Sequence, residues 1–429
     1  MSASSHGRAD WRERLRTAFS PRNGLRSLFV RSSERLAPID GLRALSILWV
    51  VVFHSAWSAW GRLPQPIYME ILRAPWALPL WRGSYGVDVF FVISGFLIAG
   101  MLLDERARTG SVALGLFYLR RFLRLWPALV VGVLVHLLCF GERPWGVLAA
   151  LFYVNDFVPV ARVVMAWTWS LSIEEQFYLV CPWLLVLPRV ATLRARLAVV
   201  ASIALVLVGV AAVVVVRGPY FAFDAEVAVD RWFDRWMLGY DALYTKPWMR
   251  AGALLAGVAA AILHRMPRVL TALGRARVLA PLGAVLALAL AAACTQWGFV
   301  LGAPRALEVS YLATFRTLFG ASIAYLLLFA LSEHPAGRML GRALSLRVLY
   351  PIAQLAYSAY LMNPYVADVS HRYFATRLGS GAVAMAVLVP IDLAVTFAAA
   401  TIVYVAVERP FMTLRPGEHR PTGAPATRS

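Results

Sequence analysis

Long apolar stretches recur along the whole of this 429-residue chain. A helix of about 20 apolar residues spans the hydrocarbon of a bilayer, and only helices or closed barrels satisfy every backbone group in lipid. With 60% hydrophobic and 15% charged residues, the chain is also too apolar for a soluble globular protein. The sequence therefore predicts an all-α, polytopic membrane helical bundle of about ten transmembrane helices. The stretches lie near 43–60, 86–103, 126–140, 168–187, 196–216, 251–264, 279–298, 310–331, 348–366 and 381–406.

One further apolar stretch, near 145–158, is short and is interrupted by Asn155 and Asp156 and followed by Pro159. We therefore predict that it is re-entrant or interfacial. The arginines support this choice, because most of the 42 basic residues then fall in loops and tails on one side. By the positive-inside rule that side is the cytoplasm. The sequence thus predicts both termini in the cytoplasm.

The same charge pattern divides the chain into three parts. Residues 1–35 are predicted to be a basic cytoplasmic tail, 36–412 the membrane domain, and 413–429 a disordered cytoplasmic tail. The net charge of +19 comes from arginines that are not clustered with aromatic stacking platforms. It therefore indicates orientation among membrane lipids, and no nucleic-acid partner is expected. The three cysteines are not at metal-ligand spacing, and no metal is expected.

A histidine lies deep in the first apolar stretch. His54 follows Arg43 by eleven residues, which is roughly 16 Å along a helix. A titratable side chain costs free energy in a membrane segment and is a functional candidate by default, and imidazole suits proton transfer near neutral pH. A structural histidine bonded to a neighbouring helix is the alternative. Asp40 is too far from His54 to orient its ring in an unbroken helix, and with Arg43 it can instead form a helix-start charge pair.

Two other charged features suggest a site. Arg121 and Arg124 are three residues apart and share a helix face at the predicted cytoplasmic end. Guanidinium groups bind phosphates in a bidentate manner, which suits the phosphates of coenzyme A, while lipid head groups are the alternative ligand. Glu174 lies in an otherwise apolar helix. It is either a catalytic carboxylate or part of an ion pair that fixes helix packing.

Four segments together resemble a known family. They are 40–54 (DGLRALSILWVVVFH), 86–98 (GVDVFFVISGFLI), 118–127 (YLRRFLRLWP) and 168–178 (TWSLSIEEQFY). In this order they resemble the acyltransferase-3 family of integral-membrane O-acyltransferases. Shorter segments at 244–252, 357–364 and 407–410 also resemble its pattern. The resemblance spans about residues 36–412.

The resemblance implies an enzyme and a set of site residues. That family moves acyl groups, commonly acetyl from acetyl-CoA, onto sugars, polysaccharides and some small molecules. We therefore expect transfer of an acyl group, and not an amino-acyl group, from acyl-CoA to a hydroxyl of a cell-envelope or secreted carbohydrate. His54 is expected to act as general base or as transient acyl carrier. The expected catalytic residues are His54, Glu174 and Asp40, the cofactor-binding residues Arg120, Arg121 and Arg124, and the substrate-binding residues Trp169, Ser172, Tyr178 and Asn363.

Two departures from the family pattern bear on mechanism. Relatives commonly carry a histidine at or near the position of Asn363, shortly after Tyr360. Unlike a histidine, the amide of Asn363 cannot shuttle protons. Many relatives also carry a soluble periplasmic esterase-like domain, and no such segment follows Pro410. A stand-alone enzyme is therefore expected, which completes the transfer itself or passes the acyl group to a separate envelope protein.

Two alternative functions stay open. A glycan or lipid flippase is one, although such a transporter has less reason to combine the arginine pair with His54. An acyltransferase acting on a small-molecule acceptor is the other, and the residues do not distinguish it. For each, the expected location is the bacterial cytoplasmic membrane.

Overall fold

The computed structural model describes residues 3–31, 36–59, 62–141, 144–186, 192–218, 239–296, 303–374, 377 and 381–416. These residues form helices joined by turns, and no β-strand occurs among them. Ten helices match the ten predicted apolar stretches. They are α1 (Ala37–Ser58), α2 (Tyr85–Thr109), α3 (Leu114–Cys139), α4 (Trp169–Val186), α5 (Leu193–Arg217), α6 (Pro247–His264), α7 (Leu279–Thr295), α8 (Arg305–Ala330), α9 (Ala356–Phe374) and α10 (Gly381–Val403).

The all-α membrane architecture is confirmed, whereas the number of crossings stays a prediction. Within the described ranges, seven helices are long and apolar enough to cross a membrane. An eighth is added if α7 and the short helix Pro267–Arg275, bent by 97°, count as one span. The remaining two, α4 and α9, do not pass this test. Both carry polar side chains that belong to the candidate site described below.

The segment predicted to be re-entrant or interfacial forms only short helical pieces. A five-residue helix covers Val147–Leu151, and a single 3₁₀ turn covers Asn155–Phe157. The Asn155 amide donates to the carbonyls of Val164 and Met165 at 2.9 and 3.1 Å. Gln176 donates to both carboxylate oxygens of Asp156 at 3.0 and 3.2 Å. Burial nevertheless raises the pKa of Asp156 to about 6. These hydrogen bonds thus hold the segment as an ordered loop against the start of α4.

Small residues bring α2 and α6 into close contact. A methyl group on Gly95 would lie 2.1 Å from the carbonyl oxygen of Leu254, and one on Gly257 would lie 2.1 Å from that of Val92. Glycine at these two positions lets the backbones approach, as is common between membrane helices. Gly95 is thus a close-packing residue between the two helices. The contact fixes the polar residues at the start of both helices relative to each other.

The N-terminal segment packs against the C-terminal one. Helices Ala3–Ala18 and Pro21–Ser27 precede α1. The Phe19 and Phe411 rings are 6.4 Å apart, and the hydroxyls of Ser27 and Tyr404 are 3.2 Å apart. The two ends of the chain therefore lie on one side of the bundle. Most of the predicted C-terminal tail, from 417 onward, falls outside the described residues.

Candidate active site

A cavity of about 100 Å³ lies among α1, α2, α3, α4 and α9. Its wall carries three guanidinium groups, from Arg43, Arg121 and Arg124, and two carboxyl groups, from Glu174 and Glu408. The rest of the wall is largely apolar and aromatic. An excess of positive charge on a low-dielectric wall favours an anionic ligand.

The Glu174 carboxylate is held in place by two hydroxyl groups. Ser94 of α2 and Tyr178 of α4 both donate short hydrogen bonds to Glu174 Oε1, and their own hydroxyls are 3.4 Å apart. The guanidinium carbon of Arg121 lies 5.6 Å from the centre of the Tyr178 ring. Ser94, Glu174, Tyr178 and Arg121 therefore form one connected polar group on the cavity wall.

Two charged cavity residues were not among the predicted site residues. Arg43 comes from the first turns of α1, and Glu408 follows α10 in a π-helical turn, Tyr404–Glu408. Ser358 donates to Glu408 Oε2 at 2.7 Å. Both residues lie in segments that carry the family resemblance. That signal could have identified them, although neither segment alone specifies a role.

His54 does not line this cavity. The helix α1 is unbroken from Ala37 to Ser58, so His54 lies roughly 16 Å beyond Arg43 along its axis. The imidazole is partly exposed and interacts with the Asn363 side chain of α9. His54 Nδ1 and Asn363 Oδ1 are both buried, and neither makes a hydrogen bond of standard geometry. The predicted substrate residue Asn363 is therefore the neighbour of the predicted base.

A proline fixes the orientation of the Asn363 amide. Pro364 has no N–H, so the carbonyl of Tyr360, four residues earlier, lacks its usual helical donor. Asn363 Nδ2 donates to this carbonyl at 2.8 Å and to that of Ala359 at 2.9 Å. With Nδ2 used in this way, Oδ1 is the atom left for His54. An amide oxygen only accepts hydrogen bonds, so the His54 nitrogen that interacts with Asn363 carries the proton, and the other ring nitrogen is the candidate base.

Tyr360 connects the cavity with this pair. Its ring lines the cavity, and its hydroxyl contacts Ser170 Oγ and the Trp167 carbonyl, each at 2.5 Å. Asn363 follows three residues later, almost one helical turn along α9. The helix α9 thus presents Tyr360 to the cavity and Asn363 to His54.

The other predicted site residues have different neighbours. Asp40 pairs with Arg31 at 3.1 Å, and Arg120 Nε donates to the Pro416 carbonyl at 3.0 Å. Ser172 Oγ accepts from the Asn155 backbone N–H at 3.1 Å. The Trp169 ring stacks on Arg250, with 4.4 Å between the ring centre and the guanidinium carbon. None of these four belongs to the cavity wall in the described part of the chain.

Comparison with known families decides the assignment of the chain. A family model described as an acyltransferase domain matches residues 36–407. The protein belongs to the acyltransferase-3 family. The match confirms the resemblance carried by the four segments and includes Arg43, Arg121, Arg124 and Glu174 of the cavity.

Curated relatives of this acyltransferase-3 protein come from Staphylococcus aureus. The O-acetyltransferase OatA of strain NCTC 8325 is 34% identical over 169 residues, which is 35% of this chain and 25% of the relative. A protein of strain COL, whose name gives it provisionally as an O-acetyltransferase, is 35% identical over 166 residues, or 34% of this chain and 24% of the relative. The matched part thus spans about a quarter of these relatives. No solved structure matches.

Proposed function

We propose that the protein is a membrane O-acyltransferase that moves an acyl group, most simply acetyl, from acyl-CoA to a hydroxyl group of a carbohydrate. The observation that carries this proposal is the convergence of Arg43, Arg121 and Arg124 on one cavity beside the bonded Glu174 carboxylate. The acetyl group and the hydroxyl acceptor are supported by the names of the relatives, which are O-acetyltransferases.

The three arginines suit the phosphates of an acyl-CoA donor. Coenzyme A carries a pyrophosphate and a 3′-phosphate, and guanidinium forks bind such groups through paired, charge-assisted hydrogen bonds. Its long pantetheine arm separates these phosphates from the thioester. Because Arg43 and His54 lie on the same continuous helix, an arm that follows α1 carries the thioester from the arginines toward the histidine.

In the proposed reaction His54 is the general base. The ring nitrogen that does not interact with Asn363 takes the proton of the acceptor hydroxyl as its oxygen attacks the thioester carbonyl carbon. The carbon–sulfur bond breaks, the acyl group stays on the acceptor oxygen, and coenzyme A leaves as its thiolate. The His54 proton then passes to the thiolate or to solvent, which restores the base. Asn363 holds the ring with this basic nitrogen directed away from α9.

The orientation follows from the arginine distribution. We place both termini and the arginine-lined cavity at the cytoplasmic face of the bacterial inner membrane, where coenzyme A occurs. An acceptor in the cell envelope would approach from the other face. A separate envelope protein as final recipient, and a small molecule as acceptor, are variants of the same chemistry. The arginine cavity gives a flippase no evident advantage.

Vesicles of opposite sidedness test activity and orientation together. Inside-out membrane vesicles that contain the protein should consume added acetyl-CoA and release free thiol when a carbohydrate acceptor is enclosed, because the donor cannot cross the bilayer. Right-side-out vesicles should not do so until they are permeabilised. Equal consumption in sealed vesicles of both kinds would contradict the orientation. No consumption above protein-free vesicles, even after permeabilisation and across a panel of acceptors, would contradict the function.

The Asn363–His54 contact leads to a separate prediction. Replacing Asn363 by Leu removes the amide acceptor beside His54. A hydrogen bond to the charged imidazolium that forms during proton transfer contributes about 1.5–3 kcal/mol, so its loss corresponds to roughly a tenfold to hundredfold lower kcat. The KM for acyl-CoA should change little, since its phosphates bind elsewhere. Asn363→His, which restores a ring nitrogen, should recover part of the rate.

Ser370 provides the control on the same helix. It donates to Asp392 of α10 and lies away from the cavity wall. Ser370→Ala should keep kcat within a few-fold of the parent. An unchanged kcat in Asn363→Leu would show that Asn363 does not orient His54.

A further inference from the structure

A buried ion cluster joins the starts of α2 and α6 to the middle of α8. Arg250 Nη1 lies 3.0 Å from both carboxylate oxygens of Asp88, and Arg316 Nη1 lies 2.5 Å from Asp88 Oδ2. Asp88 and Arg250 are fully buried, and Arg316 is 7% exposed. These three residues, the Asp88 cluster, were not part of the predicted site.

The Asp88 cluster has more positive than negative charge. Both arginines pair with the one carboxylate, and neither forms an ion pair with any other acidic residue in the described part of the chain. An uncompensated charge is strongly unfavourable in a low-dielectric interior. The cluster is therefore suited to an additional anionic group.

The Arg250 side chain leaves one edge for such a group. The Trp169 and Tyr244 rings cover its guanidinium, with ring centres 4.4 and 4.6 Å from Cζ. Its Nη1 atom is used by Asp88. The Nε and Nη2 atoms, which form the remaining edge, are buried and have no hydrogen-bond partner. Two parallel N–H donors on one edge match the two oxygens of a carboxylate.

A second arginine of the same protein shows what this edge binds. Arg265 Nε donates to Asp104 Oδ1 at 2.7 Å, and Arg265 Nη2 donates to Asp104 Oδ2 at 2.6 Å. This side-on pair uses the same two atoms that are unpartnered in Arg250. The same edge of Arg250 is therefore suited to a carboxylate in this side-on geometry.

The arginine-lined cavity lies close to the Asp88 cluster. Val87 and Ser170 line the cavity, and they are the chain neighbours of Asp88 and Trp169. Phe91 also lines it and contacts the Trp169 ring at 6.2 Å between centres. The cluster thus adjoins the part of the cavity wall formed by the first turns of α2 and α4.

We propose that the Nε–Nη2 edge of Arg250 binds a carboxylate of the acceptor, so that the acceptor is an acidic sugar such as a uronic acid unit of a glycan. This inference rests on the proposed function and adds the charge of the acceptor to it. Arg250 is then a substrate-binding residue, while Asp88 and Arg316 position it. Donor phosphates and acceptor carboxylate bind to separate groups of arginines around one cavity.

Equilibrium binding to the purified full-length protein in detergent tests this assignment. Sodium glucuronate and glucuronamide differ only in whether the carboxylate is present as a charged group or as a neutral amide. Calorimetric titration at constant ionic strength should show glucuronate binding at least about tenfold tighter than glucuronamide. Equal affinities for glucuronate and glucuronamide would overturn the proposal. This comparison of the two ligands uses the parent protein and needs no variant.

Two matched variants locate the site. Arg250→Lys keeps the charge but removes the two-donor edge, and it should weaken glucuronate binding about tenfold or more while acetyl-CoA affinity stays unchanged. Arg265→Lys makes the same chemical change at the other side-on pair and should leave glucuronate binding unaltered. Equal losses in both variants would overturn the assignment to Arg250. If the parent protein did not bind acetyl-CoA, that result would instead contradict the proposed function.

Discussion

Replacing His54 by Gln is expected to lower acyl transfer by roughly 10²–10⁴-fold, the usual contribution of a positioned general base. Glutamine keeps much of the size and the hydrogen-bonding capacity of the ring but cannot take up a proton. The affinity for acyl-CoA should stay near that of the parent, because the arginine-lined cavity does not include His54. Release of coenzyme A thiol in the presence of acceptor measures the first quantity, and calorimetry without acceptor measures the second.

His136 is the matched control for this experiment. It lies in α3, is 8% exposed, and its ring is 5.6 Å from that of Phe140 and 6.0 Å from that of Tyr365. His136→Gln should retain most of the activity. Activity of His54→Gln within a few-fold of the parent would make His54 a structural hydrogen-bonding residue. An acyl group found on His54 by mass spectrometry would replace the general-base mechanism with a covalent one.

The double replacement Arg121→Ala and Arg124→Ala should weaken acyl-CoA binding by about a hundredfold or more. Each charge-assisted contact with a phosphate contributes about 1.5–3 kcal/mol, or roughly tenfold to hundredfold in Kd. Titration of the purified variant with acetyl-CoA, and with coenzyme A lacking the 3′-phosphate, measures the loss and shows how much of it belongs to the 3′-phosphate.

Arg120 controls for the change in net charge. It is the chain neighbour of Arg121 but contacts the Pro416 carbonyl instead of the cavity. Arg120→Ala should therefore change the Kd for acetyl-CoA by no more than a few-fold. If all three arginines proved equivalent, the segment would be a general anchor for lipid head groups, and the cavity would not be the donor site.

The helices were predictable from the sequence because a helix that lies in lipid consists of a long stretch of apolar residues. All ten apolar stretches fall on helices, yet α3 begins at Leu114, well before its predicted apolar stretch at 126–140. The added turns carry Arg120, Arg121 and Arg124, which a hydropathy pattern assigns to a loop. Backbone hydrogen bonds continue a helix beyond the lipid. Hydropathy does not detect these bonds, so it did not predict the first turns of α3.

Side-chain neighbours were harder to predict than helices. Arg120 and Arg124 are four residues apart and also share a helix face, so spacing alone could not separate Arg120 from the pair in the cavity. Asp40 forms an ion pair with Arg31 from the segment before α1, a partner that the spacing of Asp40 and Arg43 did not indicate. Such choices depend on where other parts of the chain pack. The spacing of residues in a single sequence does not show how distant segments pack.

The Asp88 cluster was also not predictable from the sequence. Asp88 and Arg250 lie in segments that carried the family resemblance, whereas Arg316 looked like an isolated charge within an apolar helix. Charges separated by 162 and 228 positions in the chain meet only once the bundle has formed. Hydropathy indicates that each charge is unfavourable in lipid, but it does not indicate that these three residues meet.

The contact between the two ends of the chain has a consequence for biosynthesis. The arginine-lined cavity needs Arg43 from the first long helix and Glu408 from just after the last one, and Ser27 and Tyr404 hold these two regions together. The ribosome must therefore synthesise the chain through Glu408 before the cavity can be assembled. A partly inserted chain that lacks Glu408 therefore has an incomplete cavity wall.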